Sequence, residues 1–228
     1  MAVFDRDAAD YESAVERAVA FAGQPHDVYL AAKARKLVEI ARRRLGRIPE
    51  AALDVGCGPG VFDRHLAGWV GSLHGVDASA AMVERARRAV PEAEYAVAAG
   101  DALPFEDGRF DVSFAVCVLH HVGRYGRAQL VREMARVTRG GGLVVVFEHN
   151  PLNPLTRKVV RSCAFDEGVE LLGRRETRAL VENAGLETTD AEYILFFPWR
   201  TRLVDALERP LAAVPLGAQY LVAARKRA

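Results

Sequence analysis

The sequence is short of the features that would place it in a special environment. Three cysteines occur in 228 residues, and Cys57, Cys117 and Cys163 are too widely spaced for a disulfide framework or a CxxC metal motif. No metal site is expected, and a reducing cytoplasm fits best. Charge of one sign does not prevail either: Lys+Arg 31 against Asp+Glu 30 gives a formal net charge of +1. A nucleic-acid binder usually carries a basic excess or stripe. Here Arg42-Arg43-Arg44 and Arg225-Lys226-Arg227 read as a solvated helix face and a solvated terminus. No apolar run approaches the roughly 20 residues that span a bilayer, and Met1–Asp7 lacks the basic start and apolar core of a signal peptide. Repeats and low-complexity segments are also lacking. The expected partner is a small molecule, with no nucleic acid and no membrane span.

What remains is an ordinary globular composition, 50% hydrophobic and 27% charged, enough for one sizeable core. Tyr11–Arg44 reads as helices interrupted by turn residues at 21–25. From residue 51 short apolar runs alternate with helical patterns. The runs are Ala51–Val55, Leu73–Val76, Tyr95–Ala99, Val112–Leu119 and Leu143–Phe147. Helices are expected near Val61–Val70, Ala80–Ala89 and Arg127–Val137, and Gly140–Gly142 as a turn before the fifth strand. This alternation argues for right-handed βαβ units and a parallel sheet covered on both faces. Asn150-Pro151-Leu152-Asn153-Pro154 breaks the pattern, since proline lacks a backbone donor and constrains its predecessor. A helix at Arg174–Asn183, a strand at Tyr193–Phe197, a helix at Thr201–Glu208 and a last strand at Gln219–Ala224 then follow.

The sharpest motif is Leu53-Asp54-Val55-Gly56-Cys57-Gly58-Pro59-Gly60, a strand running into a glycine-rich turn. Glycines let the backbone reach ligand atoms that side chains would push away, and a following helix N-terminus adds a positive dipole end. A dinucleotide GxGxxG would need glycine at 61, where Val61 stands, so nicotinamide-dependent oxidoreduction is disfavoured. Asp77 closes the second strand, where a carboxylate can accept hydrogen bonds from both ribose hydroxyls of an adenosine. It can equally cap the next helix together with Ser79. Asp101, in Gly100-Asp101-Ala102-Leu103-Pro104-Phe105 at the end of the third strand, can accept from an adenine amino group. As a loop aspartate it is also an ordinary turn residue.

LDVGCGPG, GVDAS, GDALPF, FDVSFAVCVLHHV and a GGG before strand five together resemble the class I S-adenosylmethionine (SAM)-dependent methyltransferases. The similarity is greatest to the group that includes the ubiquinone/menaquinone-pathway enzymes. The resemblance implies an α/β, Rossmann-like, seven-stranded sheet of order 3-2-1-4-5-7-6, with strand 7 antiparallel. It implies a single domain with an N-terminal helical cap (1–48), a SAM-binding core (49–149) and a completion of the sheet (174–228); residues 150–173 depart most from the family pattern and, as a long irregular segment with Phe165 and Leu171-Leu172, read as a substrate lid or as a simple surface connection. It also implies SAM lying across Asp54, Gly56, Cys57, Gly58 and Gly60, then Asp77, Ala78 and Met82, then Asp101 and Ala102, with Cys117 near the methionine part. Tyr11 and Tyr29 are candidates to meet the sulfonium, and Lys33 the carboxylate, although aromatics at helical spacing also simply pack.

Strand four ends in Leu119-His120-His121-Val122. His121 there, and His149 at the end of strand five, are candidate general bases, whereas His120 reads as a positioning residue. Glu148 alternates to the other side of its strand from His149. The product would be S-adenosylhomocysteine, and the acceptor a small molecule methylated on O, N or C. The arginine- and alanine-rich composition points to a bacterial source, in specialised or cofactor metabolism. A non-catalytic SAM- or nucleotide-binding regulator with the same fold remains the alternative.

Overall fold

The computed structural model describes residues 11–20, 23–66, 68–99, 101–197, 204 and 207–228. Seven strands form one sheet, in the order β3-β2-β1-β4-β5-β7-β6. They are β1 (Ala51–Val55), β2 (Ser72–Asp77), β3 (Glu94–Val97), β4 (Phe110–Val116), β5 (Thr138–His149), β6 (Leu186–Ile194) and β7 (Gln219–Lys226). Pairing is parallel from β3 through β5, and β7 runs antiparallel to both β5 and β6. The expected architecture and strand order are therefore present. Strands covered on both faces are apolar along their length, and Val144, Val145, Val146 and Phe147 of β5 are all fully buried.

Among the described residues these α-helices accompany the sheet: α1 (Tyr11–Val19), α2 (His26–Leu45), α3 (Ala80–Ala89), α4 (Arg124–Val137), α5 (Pro154–Ser162) and α6 (Arg174–Asn183). Leu37 and Ile40 of α2 and Val83 of α3 share one core with Phe114, Phe147 and Leu221. Leu130 and Met134 of α4 and Val181 of α6 pack on the opposite face with Val144, Val146 and Tyr220. A third, smaller cluster joins Ala14 and Ala18 of α1 to Cys163 and Phe165 just after α5. It forms a roof beside the carboxyl ends of the central strands, the edge where open α/β sheets bind ligands.

Several local expectations are corrected. The helix expected over Val61–Val70 is a single 3-10 turn, Asp63–His65, among the described residues. Gly60 and Gly68 take positive φ at either end, which leaves too few residues for a stable α-helical nucleus. Gly140–Gly142 is no turn before β5 but lies inside it, opposite a register shift between Phe110 and Val112 of β4. A Cβ on Gly142 would lie 2.7 Å from the Asp111 carbonyl oxygen, so the bulge admits the strand only because the side chain is missing. The strand expected at Tyr193–Phe197 begins earlier, at Leu186, and stops at Leu195, whose φ of 60° leaves the extended region. Strand four ends at Val116 rather than Leu119, because Cys117 has φ 59°. Most of the helix expected at Thr201–Glu208 lies outside the described residues. The supposedly irregular 150–172 segment contains α5: Asn153 caps it by accepting from Leu155 N and Thr156 N, and Pro154 occupies the first turn, where its missing N–H is harmless.

Candidate active site

Backbone builds one half of the site. Gly56 N and Cys57 N donate to Val76 O at 2.8 and 3.0 Å, tying the turn after β1 to β2. Gly56 has φ 81°, and a Cβ there would lie 2.5 Å from Val118 Cγ2, so no other residue fits without displacing Val118. Gly58 N donates to Asp77 Oδ2 at 2.9 Å, and Ser79 N donates to Asp77 Oδ1 at 2.8 Å. Asp77 thus shapes the loop and the start of α3.

Beneath the loop Asp54 is 1% exposed, and its Oδ1 finds no hydrogen-bond partner among the described residues. Its carboxyl is hydrogen-bonded to that of Asp63, which accepts from Tyr95 Oη at 2.7 Å. Burial and then the neighbouring Asp63 charge push Asp54 well above the usual carboxylate range. Burial raises Asp63 to about 7. Both shifts favour a proton held by the pair.

A cavity of about 630 Å³ extends from this loop to the ends of β4 and β5. Asp54, Gly56, Cys57 and Gly58 line it, with Tyr11, His26, Tyr29 and Lys33 from α1 and α2, and Cys117, His120, His121 and His149 opposite. Asn153, Leu155, Thr156, Val159, Phe165 and Asp166 close it from the 150–172 segment. Thr156 Oγ1 donates to Ala218 O at 2.7 Å, anchoring α5 to the approach of β7. Phe165 meets Tyr11 edge-on with centroids 5.1 Å apart. Lys33 is 3% exposed, a cation held inside the wall.

The structure does not bring every expected cofactor residue to this cavity. Asp77, Ala78, Met82, Asp101, Ala102 and Gly60 are not among its lining. Ala78, Asp101 and Ala102 are exposed at the β2 and β3 ends, and Met82 is buried under α3 with its N–H bonded to Ser79. Gly60 packs against Ala86 of α3 instead. These positions lie along the β2 and β3 ends and against α3 rather than in the enclosed space.

Side chains from distant segments build the other half. Beyond Cys117, whose N donates to Phe147 O, a 3-10 turn at Leu119–His121 presents two histidines. The His120 ring is 4.1 Å from that of His121 and 5.1 Å from that of His149, centroid to centroid. His120 Nδ1 lies 2.7 Å from Glu148 Oε2, and since an ionised carboxylate only accepts, Nδ1 carries the proton. Glu148 pairs with Tyr220 where His149 pairs with Gln219, and its carboxylate reaches the histidine turn. Asp166 Oδ1 lies 3.5 Å from His120 Nε2 and 3.3 Å from His121 Nε2.

Burial opposes charge on His120, but Glu148 and then Asp166 prevail and push it up to about 10. Glu148 and Asp166 are held below the usual carboxylate range: burial would raise both, but their histidine contacts outweigh it. Burial and the charge on His120 lower His121 and His149 to about 4. Both candidate bases are therefore neutral at pH 7, with little intrinsic appetite for a proton. Arg127, 2% exposed, completes the frame: Nε donates to Leu119 O and Val122 O, and Nη2 to Glu170 O. One guanidinium thus binds the histidine turn to the segment that follows Asp166.

Glu148, Asp166, Arg127 and Asp63 are the site residues that the sequence reading missed. Glu148 adjoins a candidate base and is the one that the strand pattern could have offered. Asp166 and Arg127 have no local signature.

Residues 53–146 match the family model described as a methyltransferase domain. Over this core the chain is similar to methyltransferase domains. The chain is 31% identical over 132 residues to a malonyl-[acyl-carrier protein] O-methyltransferase of Pseudescherichia vulneris, covering 58% of this chain and 51% of that one. It is 37% identical over 120 residues to the 2-methyl-6-phytyl-1,4-hydroquinone methyltransferase of Synechocystis, covering 48% and 37%. The chain spans between 30% and 51% of the length of the first curated relatives it matches. Among solved structures, a SAM-dependent methyltransferase from Thermotoga maritima superposes with a TM-score of 0.68 over 99% of both chains at 19% identity, a likeness of fold.

The residues present fit SAM. The unpartnered Asp54 Oδ1 and the open space over Gly58 face the same cavity as Lys33 and the two N-terminal tyrosines.

Proposed function

We propose that the chain transfers the methyl group of SAM to an O, N or C atom of a small acceptor bound in the histidine half of the cavity. One observation carries this reading: a single cavity joins the glycine turn to His121 and His149 under α5. SAM would supply a methyl group activated by its sulfonium. The protein's part is then largely placement. Gly56 and Gly58 open the floor, Asp54 is positioned for an ammonium, and Lys33 for a carboxylate. Asp77 would accept from ribose hydroxyls, and Asp101 lies beyond it for the adenine side. Tyr11 and Tyr29 line the wall where a cation would be met by aromatic faces. His121 and His149 can take a proton from an acceptor hydroxyl or amine as it attacks.

The 150–173 segment acts as the acceptor's lid, because α5 and the turn at Ala164–Asp166 form that side of the cavity. The relatives named for malonyl-[acyl-carrier protein] and for 2-methyl-6-phytyl-1,4-hydroquinone favour an acceptor of specialised or cofactor metabolism. Calorimetry is expected to show S-adenosylhomocysteine binding in the micromolar range and no binding of NADH. Binding of NADH with none of S-adenosylhomocysteine would overturn the assignment. Labelled methyl transfer to an extracted acceptor distinguishes the enzyme from a SAM-binding regulator.

A further inference from the structure

His120, His121 and Asp166 each offer one ligand atom, and these three atoms lie within 4.8 Å of one another. We propose that they form a binding site for one divalent transition ion, with Glu148 orienting His120 from behind. The spacing suits a metal: two bonds of about 2.1 Å at a tetrahedral angle hold their donor atoms about 3.4 Å apart. Asp166 Oδ1 lies 3.3 Å from one imidazole Nε2 and 3.5 Å from the other.

A second, independent observation points the same way. His120 is 3% exposed, and its Nε2 makes no well-formed hydrogen bond among the described residues, only the 3.5 Å contact with Asp166 Oδ1; an ion there would displace the proton that the two carboxylates favour on the ring. Buried polar atoms are almost always satisfied, and this one is aimed at Asp166 and His121 on the cavity wall. Behind it Nδ1 is bonded to Glu148 at 2.7 Å. That carboxylate–imidazole contact is the outer-shell arrangement that fixes the tautomer of a metal-ligating histidine and raises its basicity.

The donor set selects the ion. Two imidazoles and one carboxylate suit Zn²⁺, Co²⁺ or Fe²⁺ rather than Mg²⁺, which prefers oxygen ligands and retains its water. Three protein ligands leave at least one position open, and all three residues line the cavity. Resting on the methyl-transfer reading above, the acceptor class is then a hydroxylated molecule whose oxygen occupies that position and is made more acidic there.

The test uses the full chain freed of metal by chelator. Titration with CoCl₂ is expected to give one equivalent bound with a visible ligand-field band unlike that of the aqua ion, and calorimetry with ZnCl₂ a micromolar or tighter Kd. Asp166→Asn and His121→Ala are expected to weaken Zn²⁺ at least about tenfold, and Glu148→Gln roughly 10–100-fold through the outer shell. In each variant S-adenosylhomocysteine binding monitors the intact glycine half. Zn²⁺ binding no tighter than millimolar overturns the site, as does tight binding that survives Asp166→Asn and His121→Ala but is lost on Cys117→Ser or Cys163→Ser. The methyltransferase reading fails separately, through wild-type protein that binds no S-adenosylhomocysteine.

Discussion

The two halves of the cavity are made of different materials. The half at β1 and β2 is backbone: a turn whose amides are tied to Val76 O and to the Asp77 carboxylate, with hydrogen bonds confined to adjacent strands. The half at β4 and β5 is side chain: His120, Glu148 and Arg127, which are buried, and Asp166, which is half-buried, drawn from β5, α4 and two turns. A backbone site tolerates variation in its surroundings but not in its glycines. A side-chain site depends on charges that stay paired, since a buried charge deprived of its partner is far more damaging than a lost surface contact. Under the proposed function, the first half would hold SAM and the second the acceptor.

The largest expected effect comes from breaking the second half. Glu148→Leu strands His120, 3% exposed, without its principal counter-charge. Removing one partner of a buried pair typically costs about 3–5 kcal/mol, to be read from urea denaturation. S-adenosylhomocysteine affinity per folded molecule should change little. Equal loss in both halves would show that they are one structural unit.

His149→Asn separates chemistry from binding. If neutral His149 takes the acceptor's proton, turnover should fall about a hundred-fold with S-adenosylhomocysteine affinity retained. A fall of only a few-fold assigns the work to placement, and to His121 if His121→Asn gives the larger loss. Initial-rate kinetics with saturating SAM decide between them.

Asp77→Ala breaks the first half. The ribose hydroxyls lose their acceptor and Gly58 N its anchor, so SAM binding should weaken by roughly 1.5–3 kcal/mol, as expected for hydrogen bonds to a charged group. The chain should remain folded, because Asp77 sits half-buried at a strand end. Calorimetry on a variant with an unchanged melting curve checks this, and unaltered affinity would remove the ribose role.

The smallest effect is one of pH. Asp63 titrates near 7 in the folded chain, raised by burial, and is hydrogen-bonded to Asp54. A carboxyl whose folded value lies above its unfolded one stabilises most when protonated. Its contribution is fully present below about pH 4 and is lost as pH rises through about 7. Tyr95 Oη donates to Asp63, while Lys33 and Asp77 oppose each other at Asp54. Melting temperatures across that window should decline more gently in Asp63→Asn than in wild type. Parallel profiles would show that the two carboxyls share no proton.

Sequence pattern by itself determined the alternation of strands and helices, the sheet order through its family resemblance, and the glycine turn with Asp54 and Asp77. Those signals are local: hydrophobic period, glycine spacing and residues at strand ends are set within a few positions of one another. The misplacements were local conflicts that packing resolved. Gly140–Gly142 reads as a turn but is threaded through β5 because Asp111 O approaches where a Cβ would stand. Proline at 154 reads as a break but opens α5, since the Asn153 side chain caps it. Only the tertiary structure decided which carboxylates face the histidines. Glu148 is 28 residues from His120, and Asp166 arrives from the turn beyond α5, brought there as the roof cluster packs and Arg127 clamps Glu170 O to the histidine turn. A buried ion pair follows no period along the chain, so its partners are chosen by the packing of whole elements, which the residues next to each histidine do not encode.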